Sequence, residues 1–261
     1  MPIITLTTDF GNGSPYVATM KGVILSINPA ATLIDISHAV PAQDIARGAL
    51  VLEDTTPWFP ADTIHVAVID PGVGTARSIL YARIGQQQYV APDNGLLARL
   101  MARTPPSLVL RLTEREHWLP EVSYTFHGRD IMAPVAARLS LGLDPRRLGP
   151  PAAHLDQLDL PTPQVVDQRI RGEVISIDSF GNLITNVSYD LLAGRPNDSR
   201  ACIVCGIYET FGIYHTYGEQ APGMLVALIG SSGRLELAIV GDNAAARLGV
   251  SIGTPVVVAW E

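Results

Sequence analysis

The apolar positions in the first half of the chain alternate between two periods. "IITLTTDFG" is β-branched and closes on a glycine turn, the pattern of a strand. "SPYVATMKGVILSINP" then places Val17, Met20, Ile24 and Ile27 on one helical face, with Ser14 as a fitting N-cap, Pro15 at the first helical position and Asn28-Pro29 as a stop. The spacing predicts further strands over "ATLIDISH", "TIHVAVIDPG" and "SLVLRLTE", and a hairpin from "SILYARIG" and "QQYVAPDNG". Helices are predicted over "DIARGALVLEDTTPWF", capped by Asp44, over "GLLARLMAR", and over "RDIMAPVAARLSLG" with Pro134 near its start. Alternating strands and helices favour a sheet with parallel strands covered by helices. Ligands of such sheets bind beyond the carboxyl ends of the strands. Asp9, His38 and Asp70 each stand at such an end, and whether they converge depends on a strand order that the pattern leaves open.

Near "PPAAHLDQLDLPTPQVVD" the periodicity disappears, and Pro150, Pro151, Pro161 and Pro163 punctuate the segment, which reads as a linker. Beyond it lie short strand patterns separated by turn residues: "IRGEVISIDSFG", "NLITNVS", "ACIVCGIY", "GMLVALIG", "GRLELAIV" and "TPVVVAW". The expected architecture is an N-terminal α/β domain over residues 1–160, with a largely parallel sheet covered by helices, and a smaller all-β C-terminal domain over residues 161–261. No internal repeat or low-complexity tract is present.

Composition narrows the function classes. The 261 residues are 47% hydrophobic, enough for a sizeable core, and the 23 Gly and 20 Pro imply many tight turns rather than a helical bundle. No apolar run approaches the roughly 20 residues that span a bilayer, and "MPIITLTTDF" has no basic region or cleavage site, so a cytoplasmic protein without a membrane partner is expected. Net charge is −7 with no run of Lys and Arg, which argues against nucleic acid as a partner. Cys202 and Cys205 form a C-x-x-C on a strand pattern, where residues three apart point to opposite faces; both read as core side chains rather than a redox or metal pair. The sequons at Asn186 and Asn197 carry little meaning without secretion. No Walker or dinucleotide fingerprint occurs, and no histidine pair has metal-ligand spacing, so neither a cofactor nor a metal is expected.

The polar residues at turns are the candidates for chemistry. In "IDPGVGTAR" a strand ends on Asp70, turns through Pro71 and Gly72, and is followed by Arg77. Taken alone, the two also fit a surface ion pair bracing a loop. "TFHGRD" supplies His127 beside a glycine at a helix entrance, equally compatible with a structural histidine. Asp9 in "TTDFG" can accept hydrogen bonds from a ribose diol or cap a turn. "APDNGLL" fits a turn and helix cap. In "DSFGNLITN", Phe180 offers a ring for stacking and Asn182 an amide with both a donor and an acceptor, suited to an adenine edge; a plain hairpin turn is the alternative. "IGSSGRLELAI" is a polar turn whose backbone and hydroxyls can hold a carboxylate.

Together, and in this order, "TTDFG…PYVATMKGVI", "DISH", "IDPGVGTAR", "APDNGLL", "TFHGRDIMAP", "DSFGNLITN" and "SSGRLELAI" resemble one family over essentially the whole chain. It is the S-adenosyl-L-methionine (SAM) hydroxide adenosyltransferases, or SAM hydrolases, relatives of the SAM-dependent fluorinase and chlorinase. The resemblance implies that SAM and water give adenosine, L-methionine and a proton, by attack of oxygen on ribose C5′. It implies a homotrimer with active sites between the N-terminal domain of one chain and the C-terminal domain of the next. It assigns the catalytic set to Asp70, Arg77 and His127, and a ribose contact to Asp9. Phe180 and Asn182 fall on its adenine-binding segment, and Asp178, Ser231 and Ser232 near the methionine amino and carboxylate groups. Phe126, Glu236 and the backbone of Ala244 are further substrate contacts carried over. Ser14 stands where many relatives have aspartate, so it is either a polar substrate contact or only the helix cap. The fluorinase pattern has tyrosine where Asp70 stands, and Tyr-Ser in place of His127-Gly128; the chlorinase shares the glycine. Asp70 and His127 favour water over halide. A SAM-dependent halogenase, a non-enzymatic SAM or adenosine sensor and a metal-dependent hydrolase are the alternatives.

Overall fold

The β-branched run that opens the chain forms β1 (Ile3–Thr8) in a computed structural model that describes residues 2–260. It lies between β2 (Thr32–Ser37) and β3 (Ile64–Val68), both parallel to it. Then come β5 (Gln87–Pro92), parallel to β3, and the antiparallel β4 (Ile79–Ile84), whose far side pairs with β6 (Pro106–Arg111). The six-stranded order is β2-β1-β3-β5-β4-β6.

Alternation along the strands builds two cores, because successive side chains point to opposite faces. Ile64, Val66 and Val68 of β3 pack with α1 (Pro15–Ile27) and α4 (Ala133–Ser140), whereas Ala67 and the following Ile69 pack with α2 (Ile45–Thr55) and α3 (Ala98–Arg103). Helix α1 begins where expected: the Ser14 hydroxyl accepts from the Tyr16 amide, Pro15 opens the helix, and Val17, Met20 and Ile24 are buried. Asp44 caps α2 by accepting from the Arg47 amide at 2.9 Å. Ahead of α4 the chain makes a wide π-type turn over Gly128–Met132, where a regular helix was expected from residue 129.

The second unit, from Leu160, contains the remaining strands. They are β7 (Gln164–Val166), β8 (Arg169–Ile177), β9 (Leu183–Ser188), β10 (Ala201–Cys205), β11 (Tyr208–Phe211), β12 (Ile213–Tyr214), β13 (Leu225–Ile229), β14 (Arg234–Ile239) and β15 (Pro255–Trp260). The order is β11-β10-β15-β8-β9-β14-β13-β12, with β7 on β8; all pairs are antiparallel except β12 with β13. The Thr210 hydroxyl donates to the Leu225 carbonyl at 2.8 Å, tying β11 towards β13 so that the sheet curls nearly into a barrel. The all-β expectation needs one amendment: short helices α5 (Tyr189–Leu192) and α6 (Ala244–Leu248) interrupt the strands.

Two further readings change. The segment read as a linker is tied to the first unit over much of its length. Ala152 donates to the Val109 carbonyl at 3.0 Å and the Asp156 amide to Asp93 at 3.0 Å. Backbone groups of a surface segment need partners, and here they find them on β6 and after β5. Of the two cysteines, only Cys205 is a core side chain; Cys202, on the opposite face of β10, is half-buried. Burial pushes the Cys205 thiol up to about 11, away from reactivity. Among the described residues no helix is long and apolar enough to cross a membrane.

Candidate active site

The strand order decides what the sequence left open. β2, β1 and β3 are neighbours running the same way, so His38, Asp9 and Asp70 all leave the same edge of the sheet. Thr8 pairs with Val68, so Asp9 stands one residue past the end of β1 and Asp70 two residues past the end of the neighbouring β3.

After β3 the chain folds back through two overlapping turns. Val73 donates to the Asp70 carbonyl at 3.2 Å and Thr75 to the Gly72 carbonyl at 3.2 Å. Gly74 sits at φ +79°, and a Cβ there would lie 2.2 Å from the Tyr124 carbonyl oxygen, so only glycine fits. The reversal returns Arg77 to Asp70: Nε donates to Oδ1 at 2.6 Å and Nη2 to Oδ2. Their side chains are 8% and 4% exposed, which replaces the surface ion pair with a buried, two-pronged one. Arg77 Nη2 also contacts His127 Nδ1 at 2.9 Å. A guanidinium only donates, so Nδ1 is the acceptor and the ring proton is on Nε2. Burial, then the Arg77 charge, holds the His127 imidazole below its usual range, in the neutral form at pH 7. Gly128 lets this turn approach β3, since a Cβ would meet Val68 at 3.2 Å.

Phe126, just before His127, packs edge-on against Phe10 at 5.7 Å and Tyr16 at 5.2 Å, with the Arg129 guanidinium 5.0 Å above its ring. Asp9 accepts from the Gln43 amide at 2.7 Å. The Ser14 hydroxyl serves as the α1 cap. A cavity of about 530 Å³ borders Arg77 and His127, with Arg111, Arg115 and Trp118 on its walls.

In the second unit, Asp178 organises the β8–β9 turn. One oxygen accepts from the amides of Phe180 (2.9 Å) and Asn182 (2.8 Å), and the other from Asn182 Nδ2 at 3.0 Å. A carboxylate accepts only, so the Asn182 amide is oriented and its Oδ1 is left to face a donor. Asn182 is 7% exposed, whereas the Phe180 ring beside it is 76% exposed. Phe180 and Asn182 line a concavity of about 560 Å³ with Tyr217, Ile239 and Asn243. Tyr217 donates to Glu236 Oε1 at 2.5 Å, and burial pushes the Glu236 carboxyl up. Ser231 and Ser232 are exposed at the β13–β14 turn. Ala244 is buried at the start of α6, and the next amide, of Ala245, donates to Gly181 at 2.9 Å. Tyr217 and Asn243 were missed by sequence reasoning. "GDNAA" carried a helix-cap signal for Asn243, whereas nothing in "HTYGEQ" marked Tyr217.

Comparison with known proteins supplies an independent measure. Residues 4–149 match the SAM hydroxide adenosyltransferase N-terminal domain, and residues 172–257 the C-terminal domain of that name. A protein of Salinispora tropica named (R)-S-adenosyl-L-methionine hydrolase is 39% identical, covering 97% of this chain and 95% of that one. Its namesake from Thermus thermophilus is 38% identical, with 95% and 96% covered. A fluorinase of Actinoplanes sp. is more distant, 27% identical over 71% of this chain and 72% of its own. The crystal structure of an uncharacterized conserved protein from Thermotoga maritima superposes with a TM-score of 0.93 at 33% identity, covering 98% of this chain and 99% of that one.

Proposed function

Since the chain belongs to the SAM hydroxide adenosyltransferase family, we propose that it is a SAM hydrolase, converting S-adenosyl-L-methionine and water to adenosine and L-methionine. The observation that carries the mechanism is the buried Asp70–Arg77 pair with His127 against it. Hydroxide is scarce at neutral pH, because bulk water has a pKa of about 15.7. A carboxylate positioned beside the attacking water takes its proton as the C5′–O bond forms. The C5′–S bond breaks, its electron pair passes to sulfur, and methionine leaves as a neutral thioether. Arg77 holds the Asp70 carboxylate in one orientation. His127 already accepts at Nδ1, so it offers Nε2–H to the water or to the oxygen that becomes the 5′-hydroxyl. This division assigns the proton to Asp70. Alignment and a dry pocket supply the rest, because the sulfonium is an activated leaving group.

The remaining site residues are assigned by the family resemblance and are compatible with their surroundings. Asp9 holds the ribose, with Phe126 beside the reacting carbon. Asn182 reads adenine and Phe180 stacks on it. Asp178, Ser231 and Ser232 hold the methionine amino and carboxylate groups. Glu236 and Ala244 complete the second unit's contribution. Besides its methionine contact, Asp178 also accepts from its own turn and so orients Asn182. Ser14 serves as a helix cap first. We further propose a homotrimer in which the catalytic set and the adenine-reading turn come from different chains, and a reaction that needs no metal.

The test is direct. Purified protein with SAM in ¹⁸O-labelled water should give methionine and adenosine labelled at the 5′-hydroxyl. Unlabelled adenosine would refute attack by water at C5′. Abundant 5′-halo-adenosine in chloride or fluoride would transfer the chain to the halogenase class. Loss of activity on chelation, restored by Zn²⁺ or Mg²⁺, would refute metal independence.

A further inference from the structure

The "DISH" segment has no part in the mechanism above, yet it builds a second chain of polar groups on the same sheet edge. Lys21 Nζ lies 2.6 Å from Asp35 Oδ2, and Asp35 Oδ1 lies 3.0 Å from His38 Nε2. His38 Nδ1 lies 2.9 Å from Thr8 Oγ1, and that oxygen accepts from the Phe10 amide at 3.3 Å. In a regular strand Asp35 and His38, three apart, would point to opposite faces. The register with β1 slips here: Leu6 pairs with Asp35, but Thr7 with Ser37. The extra residue resets the alternation and brings the two side chains to one side.

The proton logic has one direction. Lys21 and His38 together hold the Asp35 carboxyl below its usual range, against the opposing effect of burial. The negative charge of Asp35 favours the His38 tautomer with its proton on Nε2, although that contact lacks hydrogen-bond geometry, and in that tautomer Nδ1 is the acceptor. The short Asp35–His38 contact lies off the ideal hydrogen-bond line, so its attraction is mainly electrostatic. Thr8 then donates to Nδ1, which turns an oxygen lone pair to the Phe10 amide. Thr8 is fully buried, which rules it out as a nucleophile despite the Thr–His–Asp sequence of contacts.

The chain surrounds Asp9. Thr8 precedes it, Phe10 follows it, and the His38 carbonyl accepts from the Gly11 amide at 2.8 Å. On the other side, Gln43 adopts φ +67°, a left-handed conformation uncommon for glutamine, and donates its amide to Asp9 Oδ2. One carboxylate oxygen, Oδ2, is thereby held. We propose that His38, backed by Asp35, is a positioning residue that aims Asp9 at the ribose hydroxyls of the substrate. This rests on the reading of Asp9 as the ribose-binding carboxylate.

The experiment is a double-mutant cycle read as discrimination between adenosine and 2′,3′-dideoxyadenosine, with affinities from calorimetry. Asp9→Ala should collapse the preference for the ribose diol. His38→Ala should lower it about tenfold, the scale of one misplaced charge-assisted hydrogen bond, and Asp9→Ala/His38→Ala should be no worse than Asp9→Ala alone. His38→Asn, which keeps an acceptor near the Nδ1 position, should recover part of the preference and guards against misfolding of the alanine variant. A purely structural role would weaken both ligands equally and leave their ratio unchanged. An unchanged ratio in both His38 variants, while Asp9→Ala collapses it, overturns the role of His38. An unchanged ratio in Asp9→Ala overturns the ribose reading itself.

Discussion

The two units place their polar groups by opposite means. In the first, Asp70 and Arg77 are buried and bound to each other, and His127 is braced against the guanidinium. In the second, Asp178 spends its carboxylate on three N–H groups of its own turn, and the Phe180 ring is left open to solvent. A group that acts on reacting atoms gains from being fixed before the substrate arrives, because reorganisation during the reaction adds to the barrier. A surface that reads a flat base needs an uncovered face and one oriented amide. Chemistry and recognition are thus expected to separate on mutation.

The largest effect should come from Asp70→Asn, which preserves shape and removes the charge. Turnover should fall roughly 10²–10⁴-fold, the range for a positioned acid–base group, while SAM affinity by calorimetry stays near that of the parent. A folded Asp70→Asn protein with near-normal single-turnover rates would remove Asp70 from the catalytic set.

Acid should also separate the units. His65 is fully buried, accepts or donates at Nδ1 with the Thr5 hydroxyl at 2.7 Å, and stacks on Tyr89. Burial lowers its pKa from 6.5 to about 4. Between those values the unfolded chain binds a proton that the native one refuses, so stability falls as pH drops through this window, by at most on the order of 3 kcal/mol. Glu236 has the opposite sign: its raised pKa makes the second unit gain stability as pH falls towards the ordinary carboxylate range. Asp93, also pushed up by burial, opposes His65 within the first unit, so a His65→Gln variant is needed to isolate the histidine. Hydrogen exchange at pH 7 and pH 4.5 should show first-unit protection falling in the parent and less so in the variant. Equal acid sensitivity in both proteins would disprove it.

Asn182→Ala should weaken SAM and adenosine together, by about tenfold for one lost buried hydrogen bond, with turnover at saturation little changed. A pure loss of kcat would put Asn182 on the chemical side instead.

The smallest signal is a recovery. If the proposed trimer draws its two half-sites from different chains, Asp70→Asn and Asn182→Ala proteins, unfolded and refolded together, should regain part of the parent activity at low SAM. Activity equal to the average of the separate variants would refute sharing between chains.

Much of the local structure could be read in advance. The N-cap Ser14, the buried stripe Val17, Met20 and Ile24, the hairpin of β4 and β5 and the short strands of the second half all follow from periodicity and turn chemistry. These signals are short-range: burial of one face and capping of one end leave their mark within a few residues. The π-type turn before α4 had no such mark, nor did the short helix α5 inside the second sheet, where packing overrides weak local preference.

The motifs around Asp9, Asp70, Arg77, His127 and Asn182 were visible because their spacing matches a family, and the sequence alone determined that membership. It did not determine that His38, Asp9 and Asp70 share an edge, since strand order is set by which β-strands pair across dozens of residues. Nor did it determine that the Asp70–Arg77 pair is buried, that a register slip in β2 brings Asp35 to His38, or that Tyr217 stands beside Phe180 and Asn182. Those facts depend on distances between residues far apart in the chain, and a one-dimensional pattern carries hydrophobicity and propensity but no distances. Only the folded chain decides them.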